Sequence, residues 1–387
     1  MSDWKVNLYR PRLGSAEADA VATVLRSGWL SNGPVTREFE ETFARAAGAD
    51  DAVAVSNGTA ALHLAFLALG LGPGDEVVLP SLSFVSAAAV VTLCGATPVF
   101  ADITGPDDLC VAPGDVAARI TPRTKAVVAM HYGGEAADLP AFAALARKHG
   151  VALVEDAAHA PATRSAHGAL GTVGDIGCYS FFATKNLATG EGGMVVARDP
   201  RLRDRIRRLR SHALTVSAQD RHRGGPSLYD VDSFGLNYRP TELGSAIGLV
   251  QLADLPERQR RRQEIVSRYR RGLAGTPGLG LPYHDRPVEL AAHHLFAVLL
   301  PEGAARGAVQ DALRAAGVQS GVHYPPSHLF TAYRERFGYR EGDLPVTERV
   351  MERQLSLPLH VDMSDDDTDL VVHALRDALS GAAGVGA

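Results

Sequence analysis

The sequence predicts an α/β protein: a large domain built on a mostly parallel, seven-stranded sheet between helices, followed by a smaller α+β domain. Three observations carry this. Between residues 50 and 200, short β-branched runs alternate with stretches of helical period, the order that gives parallel strands joined by crossover helices. After Tyr238 that alternation stops and longer helical stretches take over. The chain of 387 residues, 46% hydrophobic and 21% charged, exceeds one ordinary domain and has ample apolar material for a buried core.

Taken in order, the strand candidates are 52–56, 76–79, 98–102, 126–130, 151–155, 177–182 and 193–197, with helical patterns at 60–69, 84–93 and 139–149 between several of them. The most apolar stretch, 85–101, is broken by Gly95 and Pro98 and reads as a buried helix followed by a strand, not as a membrane span. The link at Gly190-Glu191-Gly192-Gly193 is too short for a crossover helix, so an antiparallel strand is expected there. Beyond it, 242–251 and 258–273 read as two helices and 275–287 as a Pro/Gly-rich connection. A strand at 294–300, a helix at 304–316 and a final helix at 364–379, with Ser364 as its N-cap, complete the small domain. The Gly-rich tail 381–387 reads as frayed. The expected division is 1–250, a large domain with an N-terminal arm, and 251–387, a small C-terminal domain.

The formal charge of -5 argues against a nucleic-acid partner. Two arginine-rich stretches, 201–210 and 258–271, carry interleaved acidic and apolar residues and read as solvated helix faces. The three cysteines, Cys94, Cys110 and Cys178, have no metal-ligand spacing and fit reduced thiols in a cytoplasmic protein. No apolar signal core opens the chain. No metal, membrane or nucleic acid is expected.

Lysine usage is more telling. Of 39 Lys and Arg residues only four are lysines: Lys5, Lys125, Lys148 and Lys185. Arginine keeps its charge and cannot serve as an amine nucleophile, whereas a lysine amine forms Schiff bases. Lys185 stands out because its neighbours resemble a binding site. Upstream, Ser56-Asn57-Gly58-Thr59-Ala60-Ala61-Leu62 runs from a strand through a small-residue turn into a helix, and the helix N-terminus suits a phosphate. Gly58 admits the anion to the backbone and Thr59 adds a hydroxyl. Asp156, in Glu155-Asp156-Ala157-Ala158-His159, falls at the carboxyl end of a strand, where open α/β sheets bind ligands. A carboxylate there suits a protonated pyridine nitrogen, with His159 beside it. Ser180 to Asn186 then delivers Lys185 into a loop, with Ser180 in reach of the same phosphate as Thr59. Each segment alone also fits an ordinary turn; the three in this order are harder to explain so.

At this point the chain resembles the DegT/DnrJ/EryC1/StrS family of sugar aminotransferases, among the fold-type-I pyridoxal-phosphate enzymes, over nearly its whole length. The resemblance rests on Ser27-Gly28-Trp29-Leu30, Asn57 to Leu62, Pro80-Ser81-Leu82-Ser83-Phe84, Gly95-Ala96-Thr97-Pro98-Val99-Phe100, Glu155 to His159, Thr184-Lys185-Asn186 and Gly190 to Met194. Asn237-Tyr238-Arg239, His323-Tyr324-Pro325-Pro326 and Leu355 to Leu359 continue it. It implies that Lys185 holds pyridoxal 5'-phosphate as a Schiff base, with pyridoxamine 5'-phosphate as the aminated form, and that Asp156 contacts the pyridine nitrogen. It implies that Thr59, Ala60 and Ser180 bind the phosphate, joined by Asn237 from a neighbouring subunit of a homodimer with shared sites. Phe84 takes the place of the stacking aromatic, where some relatives have tryptophan, and His159 stands where many carry glutamine. Trp29, Arg239, His323 and Tyr324 are the implied substrate contacts. The implied reaction moves an amino group from an amino acid, glutamate or glutamine, to a ketosugar, most directly a nucleotide-linked keto-deoxysugar in aminosugar biosynthesis.

Other readings remain beside this one. A keto-cyclitol such as an inosose is the nearest. A sugar dehydratase of the family would carry histidine in place of Lys185. A cofactor-bound regulator would add an output module, and a cysteine desulfurase would need a mobile-loop cysteine, for which only Cys110 looks loop-like.

Overall fold

The structure, a computed structural model, describes residues 4–216, 221 and 224–383. Its main sheet runs in the order β1-β9-β8-β5-β4-β2-β3. The strands are β1 Val53–Val55, β2 Glu76–Pro80, β3 Thr97–Ala101, β4 Thr124–Met130, β5 Ala152–Asp156, β8 Ile176–Ser180 and β9 Gly193–Ala197. Pairing is parallel from β3 through β2, β4 and β5 to β8. Only β9 runs against its neighbours β8 and β1, as the short glycine link requires. The central strands are buried on both faces, with Val127, Val128 and Ala129 almost wholly covered, the pattern of a sheet sandwiched by helices. A short hairpin, β6 Arg164–Ser165 with β7 Gly168–Ala169, lies between β5 and β8.

Helices α1 Ser15–Ser27 and α2 Pro34–Ala47 precede the sheet. Both close on a left-handed glycine, Gly28 and Gly48, and neither was expected from the periodicity. On one face, α3 Gly58–Ala68 and α4 Ser86–Leu93 bury Leu62, Phe66, Val90 and Val91 against Val77, Leu79 and Val154. On the other, α5 Pro113–Arg119 and α6 Leu139–His149 bury Val116, Phe142 and Leu145 against Val78 and Val127. The ends of α6 match the sequence reading because both caps are strong: the Asp138 side chain accepts from Ala141 N–H, and Gly150 adopts φ 65. Helix α7 is Pro200–Leu209.

Helix α8, Glu242–Leu273, corrects the expectation of two helices: 32 residues run unbroken through Pro256. Proline removes one rung of the ladder, but packing on both sides of it outweighs that loss. The first half of α8 lies on α1 and α2, and the second half contributes Ile265, Val266 and Tyr269 to the small-domain core. Residue 250, the expected division, falls inside this helix. The small domain adds β10 Phe296–Leu299 paired antiparallel with β11 Gln354–Leu357. Around this pair lie α9 Arg306–Ala315, α10 Thr331–Phe337, α11 Pro345–Arg353 and α12 Asp365–Ala383. Ser364 caps α12: Asp367 N–H donates to its Oγ at 3.0 Å. Residues 384–387 of the expected frayed tail lie outside the described residues.

The reading of both arginine-rich stretches as solvated faces holds only in part. Arg210 is 5% exposed, donating to Glu40 Oε1 at 2.6 Å and Ala54 O at 2.7 Å. Arg258 and Arg262 are each 7% exposed. Arg258 donates to Gln251 Oε1 at 2.6 Å, and Arg262 to the carbonyls of His293 and Leu359 at 3.0 and 3.1 Å. A guanidinium tolerates burial when its fork meets carboxylates or carbonyls, which helical spacing alone does not disclose. Cys110, expected to be loop-like, is buried, and burial pushes its thiol well up. Among the described residues, no helix is long and apolar enough to cross a membrane.

Candidate active site

The carboxyl ends of β5 and β8 and the N-terminus of α3 open on one cavity of about 650 Å³, where open α/β sheets bind ligands. Asp156 and Ser180 end their strands there, and Lys185 follows β8 on the next turn. The small domain closes the cavity with His294, His323 and Tyr324.

The anion-binding end is built locally. Asn57 caps α3, its Oδ1 accepting from Ala60 N–H at 2.8 Å, which leaves the N–H groups of Gly58 and Thr59, both lining the cavity, without a partner in the helix. A Cβ on Gly58 would sit 2.8 Å from the Ser180 Cβ. Only glycine therefore lets the helix start approach β8 closely enough for Thr59 and Ser180 to share one pocket.

Two ionisable groups line the same cavity. Asp156 is 5% exposed and its Oδ1 accepts from Ala158 N–H at 3.1 Å. Burial raises its pKa, against the opposing pull of Ala158 and Lys185. Burial also lowers Lys185 to about 8, while Asp156 acts to raise it. Lys185 Nζ stands 3.5 Å from His294 Nε2.

His159 is buried and held neutral, burial first and the Lys185 charge second depressing its pKa. Gly133 N–H donates to its Nδ1 at 3.1 Å, so the ring proton sits on Nε2 and is donated to Tyr324 Oη at 3.0 Å. The Tyr324 hydroxyl proton is then free to point into the cavity. Gly134, at φ +92 and with its Cβ direction blocked by Ala292, His159 and His293, holds this turn against the small domain. Behind Asp156, the buried Glu155 carboxylate accepts from His131 Nε2 at 2.9 Å, Gly171 and Val173 N–H at 2.7 Å and Gly174 N–H at 2.6 Å.

Of the residues expected from sequence, Gly58, Thr59, Ala60, Phe84, Asp156, His159, Ser180 and Lys185 line the cavity, as do His323 and Tyr324. Phe84 stays 56% exposed on its open wall. Asn237, Arg239 and Trp29 do not line it in their own chain. Arg239 lines an adjoining cavity with Thr241 and Glu191, and Trp29 packs over Gly33, donating to Ser31 O at 3.0 Å. The sequence reading missed Tyr9, Glu191, Tyr238 and His294, which also line the cavity. The available signal for His294 was the polar pair His293-His294 opening an apolar strand; Tyr9 carried none. No cluster of three His, Cys, Asp or Glu able to hold a metal occurs among the described residues.

The cavity fits pyridoxal phosphate on its own geometry. Its lining brings together a helix N-terminus, a buried carboxylate and an amine with depressed pKa.

Comparison with known proteins agrees. The model of the DegT/DnrJ/EryC1/StrS aminotransferase family matches residues 11–376. The spore coat polysaccharide biosynthesis protein SpsC of Bacillus subtilis (strain 168) is 43% identical over 378 residues, 96% of each chain. Among solved structures, the aminotransferase TlmJ from Streptoalloteichus hindustanus has a TM-score of 0.89 at 42% identity, covering 97% of this chain and 99% of that one. DesI, crystallised in the presence of its TDP-sugar product, has a TM-score of 0.88 at 36% identity, covering 100% and 95%.

Proposed function

From the premise that the chain belongs to the DegT/DnrJ/EryC1/StrS aminotransferase family and is a pyridoxal-phosphate-dependent aminotransferase, we propose its reaction. It moves the amino group of an amino acid, glutamate first, onto a ketosugar, most directly a nucleotide-linked keto-deoxysugar, in the cytoplasm. The observation that carries the site assignment is the meeting of Lys185, the buried Asp156 and the N-terminus of α3 in one cavity. The TDP-sugar product of DesI and the polysaccharide role of SpsC support the sugar class.

The cofactor, when bound, supplies an electron sink and carries the amino group between donor and acceptor. Thr59, Ser180 and the first-turn N–H groups of α3 hold its phosphate. Asp156 keeps a positive charge on the ring nitrogen. Lys185 anchors the cofactor at rest. Once displaced, its amine moves a proton between the two carbons that exchange the amino group. Tyr324, its oxygen occupied by His159, offers its hydroxyl proton to an oxygen in the cavity. In the proposed homodimer, Asn237 and Arg239 complete the neighbour's site. In support, the segment before them leaves Leu228 87% and Phe234 98% exposed, apolar surface that a second copy would cover.

One observation favours the keto-cyclitol as a second reading. Among the described residues lining the cavity, Lys185 is the sole Lys or Arg, so a substrate pyrophosphate finds no cation within its own chain. A panel of keto-sugar nucleotides and inososes, with glutamate or glutamine as donor and products followed by mass, tests both. Amination of a nucleotide ketosugar upholds the first reading; amination of inososes alone replaces it with the second. Parallel double-reciprocal plots should accompany either, since both half-reactions use one cavity.

A further inference from the structure

We propose that His294 is a positioning residue that fixes the direction of the Lys185 amine. The proposal rests on the reading of Lys185 as the cofactor-holding lysine. It starts one residue along the chain, at Asn186. The Asn186 amide donates from Nδ2 to Ala292 O at 2.7 Å, which turns its Oδ1 toward His294 Nδ1 at 3.2 Å. That oxygen can only accept, so Nδ1 carries the ring proton and Nε2 presents a lone pair. The lone pair faces Lys185 Nζ at 3.5 Å, the long end of hydrogen bonding and usual for a catalytic contact before ligands tighten it.

The imidazole is also held in place. Its backbone N–H donates to Gly133 O at 2.7 Å, and the His159 ring packs 4.3 Å from its own. The ring is 7% exposed. Burial, with the charges of Lys185 and Arg262 and the nearby rings of His159 and His323, keeps it unprotonated, so it acts as an acceptor.

An amine has one lone pair and two N–H bonds. With one N–H tied to His294, the lone pair is confined to the two remaining staggered positions instead of turning freely about the last side-chain bond. An acceptor at this position also stabilises the ammonium relative to the amine, offsetting part of the burial that depresses the Lys185 pKa. His294 therefore acts through Lys185.

The test uses His294→Phe, which keeps the ring volume and removes the acceptor, and His294→Gln, which restores an oxygen near the Nε2 position. In cofactor-free protein, trace acetylation with acetic anhydride across pH, read by mass on the Lys185 peptide, gives the titration of that amine directly. The Phe variant should titrate at lower pH than wild type, and the Gln variant close to wild type. In loaded protein, kcat of the Phe variant should fall about tenfold to a hundredfold, the worth of one hydrogen bond to a charged group. KM for the acceptor should hold, and Gln should recover most of the loss. Asn186→Leu, which leaves the imidazole in place and frees its tautomer, should shift the Lys185 titration in the same direction.

An unchanged titration and kcat in the Phe variant, or a Gln variant as impaired as the Phe variant, overturns the proposal. Failure of the premise is read separately: Lys185→Ala protein that still gains the visible band of a cofactor Schiff base overturns the premise and the proposal with it.

Discussion

Lys185 sits in the cavity with its pKa lowered by burial to about 8, and only the neutral amine attacks an aldehyde. Capture of pyridoxal phosphate by cofactor-free protein should therefore speed up about tenfold per pH unit below that value and level off above it, a profile stopped-flow absorbance reads directly. Lys185→Ala should show neither the visible band nor turnover, as no other lysine lines the cavity. For Asp156→Asn we expect the ring nitrogen to lose its counter-charge and the half-reaction with glutamate to slow by about a hundredfold or more. A wild-type single-turnover rate would remove Asp156 from that role. Both residues were legible in the sequence because each sits where a strand hands over to a loop, a position set by local pattern. His294 and Tyr9 were not, because each lies more than 100 residues from Lys185 and Asp156 along the chain, and the polar pair at His293-His294 does not say which cavity it faces.

Elements tell the same story through their ends. Helix α6 was readable from Asp138 and Gly150, whereas the unbroken course of α8 was hidden by Pro256, since a sequence shows the missing rung but not the packing that outweighs it. The turn leading into β8 depends on a residue with no catalytic appearance. Glu155 takes four hydrogen bonds, and its carboxyl, although burial pushes it up, is held below the usual range by His131 and the backbone N–H groups. A lowered folded pKa means that this stabilisation is present above the ordinary glutamate value and is lost as pH falls below it. Glu155→Gln would set an amide against backbone donors and should cost about 2–4 kcal/mol in denaturant unfolding. The variant should also lose less stability than wild type between roughly pH 5 and pH 3, below the ordinary glutamate pKa. Equal stability of the two proteins at pH 7 would dismiss this role.

For the whole molecule, the alternation along the chain made the sheet and its single antiparallel strand plain, whereas in the sequence the shared sites of the proposed homodimer rest on the family resemblance alone. Those sites have a direct experiment. Lys185→Ala and an Asn237→Ala, Arg239→Ala double variant, each inactive alone, should together regain about a quarter of wild-type activity when refolded as a random mixture, by the two-fold symmetry of an isologous dimer. Heterodimers confirmed by mass with no recovery would confine both residues to their own subunit. The two domains, meanwhile, are joined by something stiffer than a loop. Helix α8 is a rod about 48 Å long at 1.5 Å per residue, shared by both cores. The small domain, which brings His294, His323 and Tyr324 to the cavity, is mounted on a common axle, and the axle's one weak joint is Pro256, where a rung is missing. If the cavity opens to admit a bulky acceptor, the bend is expected at that joint, and Pro256→Ala, which restores the rung, should slow acceptor entry in stopped-flow absorbance.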